Sequence, residues 1–113
     1  MLHVCLISSA TSPQRLKKIL TVAEGFLYLT SVLGVTGARK DIPKATLSFL
    51  RQASRQSELP MAVGFGISNS GQVKKLKKGG AAGIIVGSHL IRMTQEAGKS
   101  SNRRIVDFLK NLL

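Results

Sequence analysis

Three sets of small residues punctuate this chain at places where a phosphate could be held: Gly34 with Gly37, Gly64 with Gly66, and Gly87 with Ser88. Each set follows an apolar, β-rich run. Glycine has no Cβ, so backbone N–H groups there can approach a ligand closely. Gly87-Ser88 also opens a short helix expected through Leu90, Ile91 and Met93. The unpaired amides and positive dipole end of that helix attract an anion. The competing reading is that each glycine only makes a tight strand-to-helix turn. Three sets at one edge, one of them opening an extra helix, favour phosphate.

Groups for acid–base chemistry are scarce. The acidic residues are Glu24, Asp41, Glu58, Glu96 and Asp107. Glu24 and Glu58 precede strands, at the end opposite the glycines, and Glu96 and Asp107 lie in late helices. Asp41, in a Lys-Asp-Ile-Pro element, is expected to cap the helix that follows. No catalytic residue is assigned. His3 begins a strand and is expected to be structural. His89 follows Gly87-Ser88, and a packing or solvent role is favoured over one near phosphate. Cys5, the sole cysteine, sits in an apolar run and reads as a small hydrophobe. It excludes an internal disulfide and a cysteine-cluster metal site.

The elements that must position the glycines alternate. Residues 3–8 (HVCLIS) form a first strand. Ser12 is a good N-cap and Pro13 suits the first helical position. The helix buries Leu16, Ile19, Leu20 and Ala23 and ends at Gly25. Residues 26–31 (FLYLTS) form a second strand. A helix over about residues 43–56 buries Ala45, Leu47, Phe49, Leu50 and Ala53. Residues 61–63 lead into GFGIS at 64–68. A helix over about residues 70–78 turns Val73 and Leu76 inward and Lys74, Lys75, Lys77 and Lys78 outward, and Gly79-Gly80 stops it. Residues 83–86 form a fourth strand. A polar segment at 98–102 precedes a last helix from about Arg103, with Ile105, Phe108, Leu109 and Leu112 on one side.

Four strand–helix units in a row predict parallel strands joined by right-handed crossovers. A small open doubly wound sheet and a barrel, or half of one, both fit. A closed eight-stranded barrel needs ~250 residues, and this chain has 113. In either architecture all three glycine sets fall at the carboxyl edge of the sheet. Barrels commonly hold phosphate with the loops after strands seven and eight and the amino end of a short extra helix, the layout of the last two units here.

Composition agrees with a globular domain: 43% of residues are hydrophobic, and the aromatics are four Phe and one Tyr. Seventeen Lys and Arg against five Asp and Glu give a net charge of +12. Such a chain favours anionic partners, although most of its cations fall at helical spacing on solvated faces. No apolar stretch approaches the ~20 residues of a membrane span. The apolar opening lacks the basic segment of a signal peptide and reads as a strand.

Beyond these general signals, GFLYLTS at 25–31 followed by GVTGAR at 34–39 resembles the GVTGAR loop region of tryptophan synthase alpha subunits. PMAVGFGIS at 60–68 is similar to that family's PVAVGFGIS segment, and GIIVGS at 83–88 to its GVIVGS segment. The spacing between segments matches as well. The resemblance implies a partial (β/α)8 TIM barrel of four consecutive βα units, the fifth to eighth, forming one incomplete domain over residues 1–113. It implies a phosphate site on the backbone of Gly37, Gly66, Gly87 and Ser88. By the same resemblance Tyr28 and Phe65 flank the indole ring of indole-3-glycerol phosphate, and Thr36 sits on the loop that closes over it. Val32 departs from the arginine of some members in this loop, and Ser8-Ser9 from an Ala-Pro common after the fifth strand.

The family's role in tryptophan biosynthesis is a lyase reaction, retro-aldol cleavage of indole-3-glycerol phosphate to indole and glyceraldehyde 3-phosphate. Its two catalytic carboxylates come from the second strand and the following loop, so this segment alone is expected to bind phosphate without turnover. Two strand edges and one core face would be left open, so the chain is expected to be unstable alone, to dimerise, or to pair with the missing half. The lone cysteine fits a reducing compartment, so a cytoplasmic location is expected, and the resemblance further implies a beta subunit partner in an alpha2-beta2 assembly. Pyridoxal phosphate would belong to that partner, with no cofactor on this chain. The alternatives are another phosphate-binding barrel, against which the GVTGAR loop argues, and a basic nucleic-acid-binding module. The latter is disfavoured because the one Tyr lies in a strand and no stacking motif is visible.

Overall fold

The structure, a computed structural model, describes residues 1–30 and 41–112. The glycine-punctuated loop that carries Gly34, Thr36 and Gly37 lies outside the described residues. The remainder folds as four successive βα units. These are β1 (Cys5–Ile7), α1 (Pro13–Val22), β2 (Leu27–Thr30), α2 (Lys44–Gln56), β3 (Met61–Gly64), α3 (Ser70–Gly79), β4 (Gly83–Ile85) and α4 (Ser88–Ala97). A single 3-10 turn (Gly98–Ser100) leads to α5 (Ser101–Leu112).

The four strands form one parallel sheet in sequence order, β1-β2-β3-β4. Consecutive parallel neighbours are what successive right-handed crossovers give in a barrel wall, and no strand order reverses as it does in an open doubly wound sheet. The register aligns Cys5 with Leu27 and Met61, and Ile7 with Leu29, Val63 and Ile84. Side chains alternate across a strand, so these residues share one face. It is the face the helices cover: Ile7, Leu27, Leu29, Met61 and Val63 are buried with Leu16, Phe49, Leu50, Ala53, Val73 and Leu76. The opposite face carries Leu6, Tyr28, Thr30, Ala62, Gly64, Gly83 and Ile85, and Leu6 is 63% exposed there. Large exposed apolar side chains cluster at the two sheet edges: Leu2, Val4, Leu6 and Val22 beside β1, and Ile91, Val106 and Leu109 beyond β4.

Local chemistry explains most helix boundaries. The Ser12 hydroxyl accepts from the Arg15 amide at 3.2 Å and Pro13 occupies the first turn of α1. Three boundaries differ from the sequence expectation. Helix α1 ends at Val22, where the extended Ala23 closes the last turn through its amide to Ile19. Gly25, at φ +78°, instead makes the turn into β2. Helix α4 runs on to Ala97 and α5 begins at Ser101, so the short helix after Gly87 is longer than expected. Helix α2 turns Thr46, Phe49, Leu50 and Ala53 inward and leaves Ala45 exposed. Positions i, i+3, i+4 and i+7 form one stripe, and that phase excludes Ala45. In α5, Leu112 is buried and Ile105 and Phe108 are half-buried, but Leu109 is 40% exposed.

Candidate functional site

The carboxyl rim of the sheet is set by one register row, in which Thr30 aligns with Gly64 and Gly64 with Ile85. Gly66 and Gly87 each lie two residues beyond that row on adjacent strands, so β3 and β4 bring both to the same edge. Gly66 has φ +35°, a left-handed conformation that glycine adopts without strain. Gly87 needs no such explanation, since its φ is −123°. A Cβ built at Gly87 would also meet nothing within 4 Å. Among the described residues, packing therefore does not call for a glycine at 87.

Gly87 is the N-cap of α4, and no side chain caps that end. The first intrahelical bond runs from the Ile91 amide to the Gly87 carbonyl at 3.1 Å. The amides of Ser88, His89 and Leu90 thus precede the helix's own ladder, and Ser88 is exposed beside them. The loop carrying Gly66 is pinned from the other side. Asn69 caps α3 by accepting from the Gln72 amide at 3.0 Å. The buried Gln72 side chain accepts from the amides of Ser68 at 2.8 Å and Asn69 at 3.3 Å. This reciprocal capping box fixes where β3 turns into α3 and hence where Gly66 sits. Its signal is present in the sequence, Asn-x-x-Gln ahead of an apolar stripe, and is one that the glycine pattern alone does not reveal.

Tyr28 stands on the open face, half-buried, and leans toward the rim over β3. A Cβ at Gly64 would lie 2.7 Å from Tyr28 Cζ and 3.0 Å from its Cε1, and would meet the hydroxyl closer still. Glycine at 64 is what lets the phenol ring lie against the strand. Phe65, the next residue, is 7% exposed and belongs to the apolar cluster with Val63 and Ile67. Of the residues named from sequence, the structure therefore brings Gly66, Gly87 and Ser88 to one rim. It sets Tyr28 on the face below them and leaves Phe65 only a thin exposed edge. Gly37 and Thr36 fall outside the described residues.

No carboxylate joins this arrangement. Glu24 and Glu58 are exposed in the turns before β2 and β3, and Glu96 and Asp107 are exposed on α4 and α5. Asp41 does not cap α2, whose N-cap is Pro43 with no side-chain bond. Its Oδ1 instead accepts from Lys75 Nζ of α3 and from the Ile42 amide at 2.9 Å. The Lys75 hydrogen bond, with the Ile42 amide second, holds the Asp41 carboxyl below its ordinary value. His89 stacks on Phe108 of α5, ring centroids 4.5 Å apart and tilted by 41°, which is the packing role. Cys5 is half-buried against the core. Among the described residues no cluster of His, Cys, Asp and Glu could hold a metal ion, and no helix is long and apolar enough to cross a membrane.

Comparison with known proteins gives a consistent result. The chain is 40% identical over 109 residues to the tryptophan synthase alpha chain of Methanosarcina mazei, covering 96% of this chain and 39% of that protein. It is 43% identical over 107 residues to the alpha chain of Pyrococcus furiosus, covering 95% and 42%. Among solved structures, a chain of the Pyrococcus furiosus tryptophan synthase a2b2 complex superimposes with a TM-score of 0.88 at 38% identity, covering 99% of this chain and 45% of that one. The chain therefore spans about two fifths of the length of the relatives it matches. With a family model for the tryptophan synthase alpha chain matching residues 1–112, the chain belongs to that family, and its sheet is part of that family's TIM barrel.

Proposed function

We propose that this segment holds the phosphate of a phosphorylated indole substrate, indole-3-glycerol phosphate or a close analogue, as its share of the family's tryptophan-biosynthetic lyase reaction. The observation that carries the reading is the rim. Gly66 and Gly87 each follow by two residues the register row of Gly64 and Ile85, at the same edge of the sheet, and the uncapped end of α4 presents the amides of Ser88, His89 and Leu90 there. An anion there meets several N–H donors and the positive end of a ten-residue helix. The glycine at 87, whose flank no described residue fills, leaves that side open to the ligand. Gly37 completes the proposed phosphate set, with Thr36 on the closing loop and Tyr28 and Phe65 beside the indole ring.

Catalysis is not assigned to this segment. Retro-aldol cleavage needs an acid and a base within hydrogen-bond reach of the reacting atoms, and no such pair is present: Glu24 and Glu58 precede strands, Glu96 and Asp107 lie on α4 and α5, and Asp41, the one acid near the carboxyl edge, is held by Lys75 and the Ile42 amide. The chemistry is assigned to carboxylates on a different segment of the barrel, and pyridoxal phosphate to a beta subunit partner of an a2b2-type assembly in the cytoplasm. Titration with glycerol phosphate and with indole-3-glycerol phosphate, read by amide chemical shifts, tests the proposal. Perturbation is expected at residues 66, 87 and 88, weakened by Gly87→Val, with no indole release. Absence of any shift at millimolar ligand refutes phosphate retention, and indole turnover by this chain refutes the division of labour.

A further inference from the structure

The sequence shows a large positive charge, and the structure shows where it gathers. Helices α2 and α3 pack side by side on the covered face of the sheet and contain no acidic residue. Their outward sides carry Lys44, Arg51 and Arg55 from α2, and Lys74, Lys77 and Lys78 from α3, all exposed. Lys75 is the exception, since it pairs with Asp41 in the only salt bridge among the described residues.

The two sets of cations meet at one place. A Cβ at Gly79 would lie 3.6 Å from Leu47 Cδ2, and one at Gly80 would lie 2.7 Å from Ser54 Oγ. Leu47 and Ser54 thus border the carboxyl end of α3. Arg51 lies between them on the same i, i+4, i+7 stripe, which turns it toward the end of α3 that carries Lys78, while Lys77 borders the adjoining groove with Leu109 and Leu112 of α5.

We infer that the outer surface of α2 and α3 is a binding surface for the phosphate backbone of a nucleic acid, separate from the rim that holds a single phosphoryl group. The character of the surface selects this ligand. None of the large exposed apolar side chains lies on α2 or α3. A membrane-surface helix needs an apolar face free to insert, and here both apolar faces are buried on the sheet. The anchors of a protein interface are chiefly Trp, Tyr and Arg, and of these the surface offers only Arg51 and Arg55, with no aromatic beside them. What remains is closely spaced cations without stacking groups, which suits backbone phosphates and carries no base readout. Helices form the outer ring of a (β/α)8 barrel, so this surface stays accessible when the sheet is part of a full barrel.

The test is binding of the folded chain to a fluorescent random-sequence DNA duplex of about 20 base pairs, between about 50 and 200 mM salt, where neutralised phosphates dominate the salt dependence. The combined variant Arg51→Gln, Lys74→Gln, Lys77→Gln, Lys78→Gln is compared with Arg15→Gln, Lys17→Gln, Lys18→Gln, Arg103→Gln, which removes equal charge elsewhere. Circular dichroism confirms that both fold. At about 100 mM salt the first variant is expected to bind at least ~10-fold more weakly. Its slope of log K against log salt should be shallower by roughly 3 to 4, about 0.9 for each phosphate that is no longer neutralised. The second variant should stay near the parent. Absence of binding at about 50 mM salt, equal weakening in both variants, or tighter binding to phosphatidylserine vesicles than to the duplex overturns the inference. The glycerol phosphate titration reads a different surface, so the two proposals fail independently.

Discussion

Replacing Gly64 by alanine should destabilise the sheet through Tyr28, and the size of the effect follows from local geometry. The new methyl group would stand 2.7 Å from Tyr28 Cζ and 3.0 Å from Cε1, well inside ordinary contact between carbon atoms of ~3.5–4.0 Å. The backbone cannot yield cheaply, because Gly64 is paired to Thr30 on one side and Ile85 on the other. The ring must move instead, and its own strand is held on both sides by β1 and β3. Overpacking of this kind costs about 1–3 kcal/mol. The loss of glycine's unfolded-state entropy returns about 0.4–1 kcal/mol. A net destabilisation of about 1–2 kcal/mol is therefore expected from these two effects.

Urea unfolding followed by far-ultraviolet circular dichroism would measure it in a double-mutant cycle with Tyr28→Ala. Removing the ring should cost clearly less in the Gly64→Ala background than in the parent, with a coupling of about 1 kcal/mol or more. If Gly64→Ala lies within about 0.5 kcal/mol of the parent and Tyr28→Ala costs the same in both backgrounds, the close approach does not constrain the fold and the reasoning fails.

Other perturbations probe the supports of the rim. Asn69→Ala removes the α3 cap and should cost about 1 kcal/mol in urea unfolding. It should also broaden or shift the amides of Ser68 and Gly66, whereas Ser70→Ala, outside the box, should leave them in place. Gly80→Ala puts a side chain at φ +111° and 2.7 Å from Ser54 Oγ, so a destabilisation of about 1–2 kcal/mol is expected, partly relieved by Ser54→Ala. Asp41 should titrate below 3.8, its ordinary value, because Lys75 and the Ile42 amide favour the carboxylate. Its folded pKa is depressed, so the stabilisation is complete above the unfolded value and disappears as pH falls through the folded one. Carboxyl carbon shifts should follow this titration, and in Lys75→Ala the midpoint should move up. An unchanged midpoint would mean that the pair does not persist in solution.

Legible in the sequence were the alternation of strands and helices, the Ser12-Pro13 start of α1, the glycine stop of α3 and the glycines at the strand ends. These are local signals: each depends on residues within about a turn of one another, and a cap or an apolar run acts wherever the chain goes. The family was legible for the same reason, since contiguous motifs carry it. Packing in three dimensions settled the matters that involve residues far apart in the chain. Tyr28 meets Gly64 because register sets neighbouring strands against each other. Asp41, expected as a cap, is captured by Lys75 because α2 and α3 pack together. His89 is occupied by Phe108 because α4 and α5 fold back on each other. Thr46 takes the inward place expected of Ala45 because the sheet fixes the rotation of α2. Charge follows the same division: the count of +12 is a property of the sequence, but its concentration on one wall depends on which helix faces the strands leave outward.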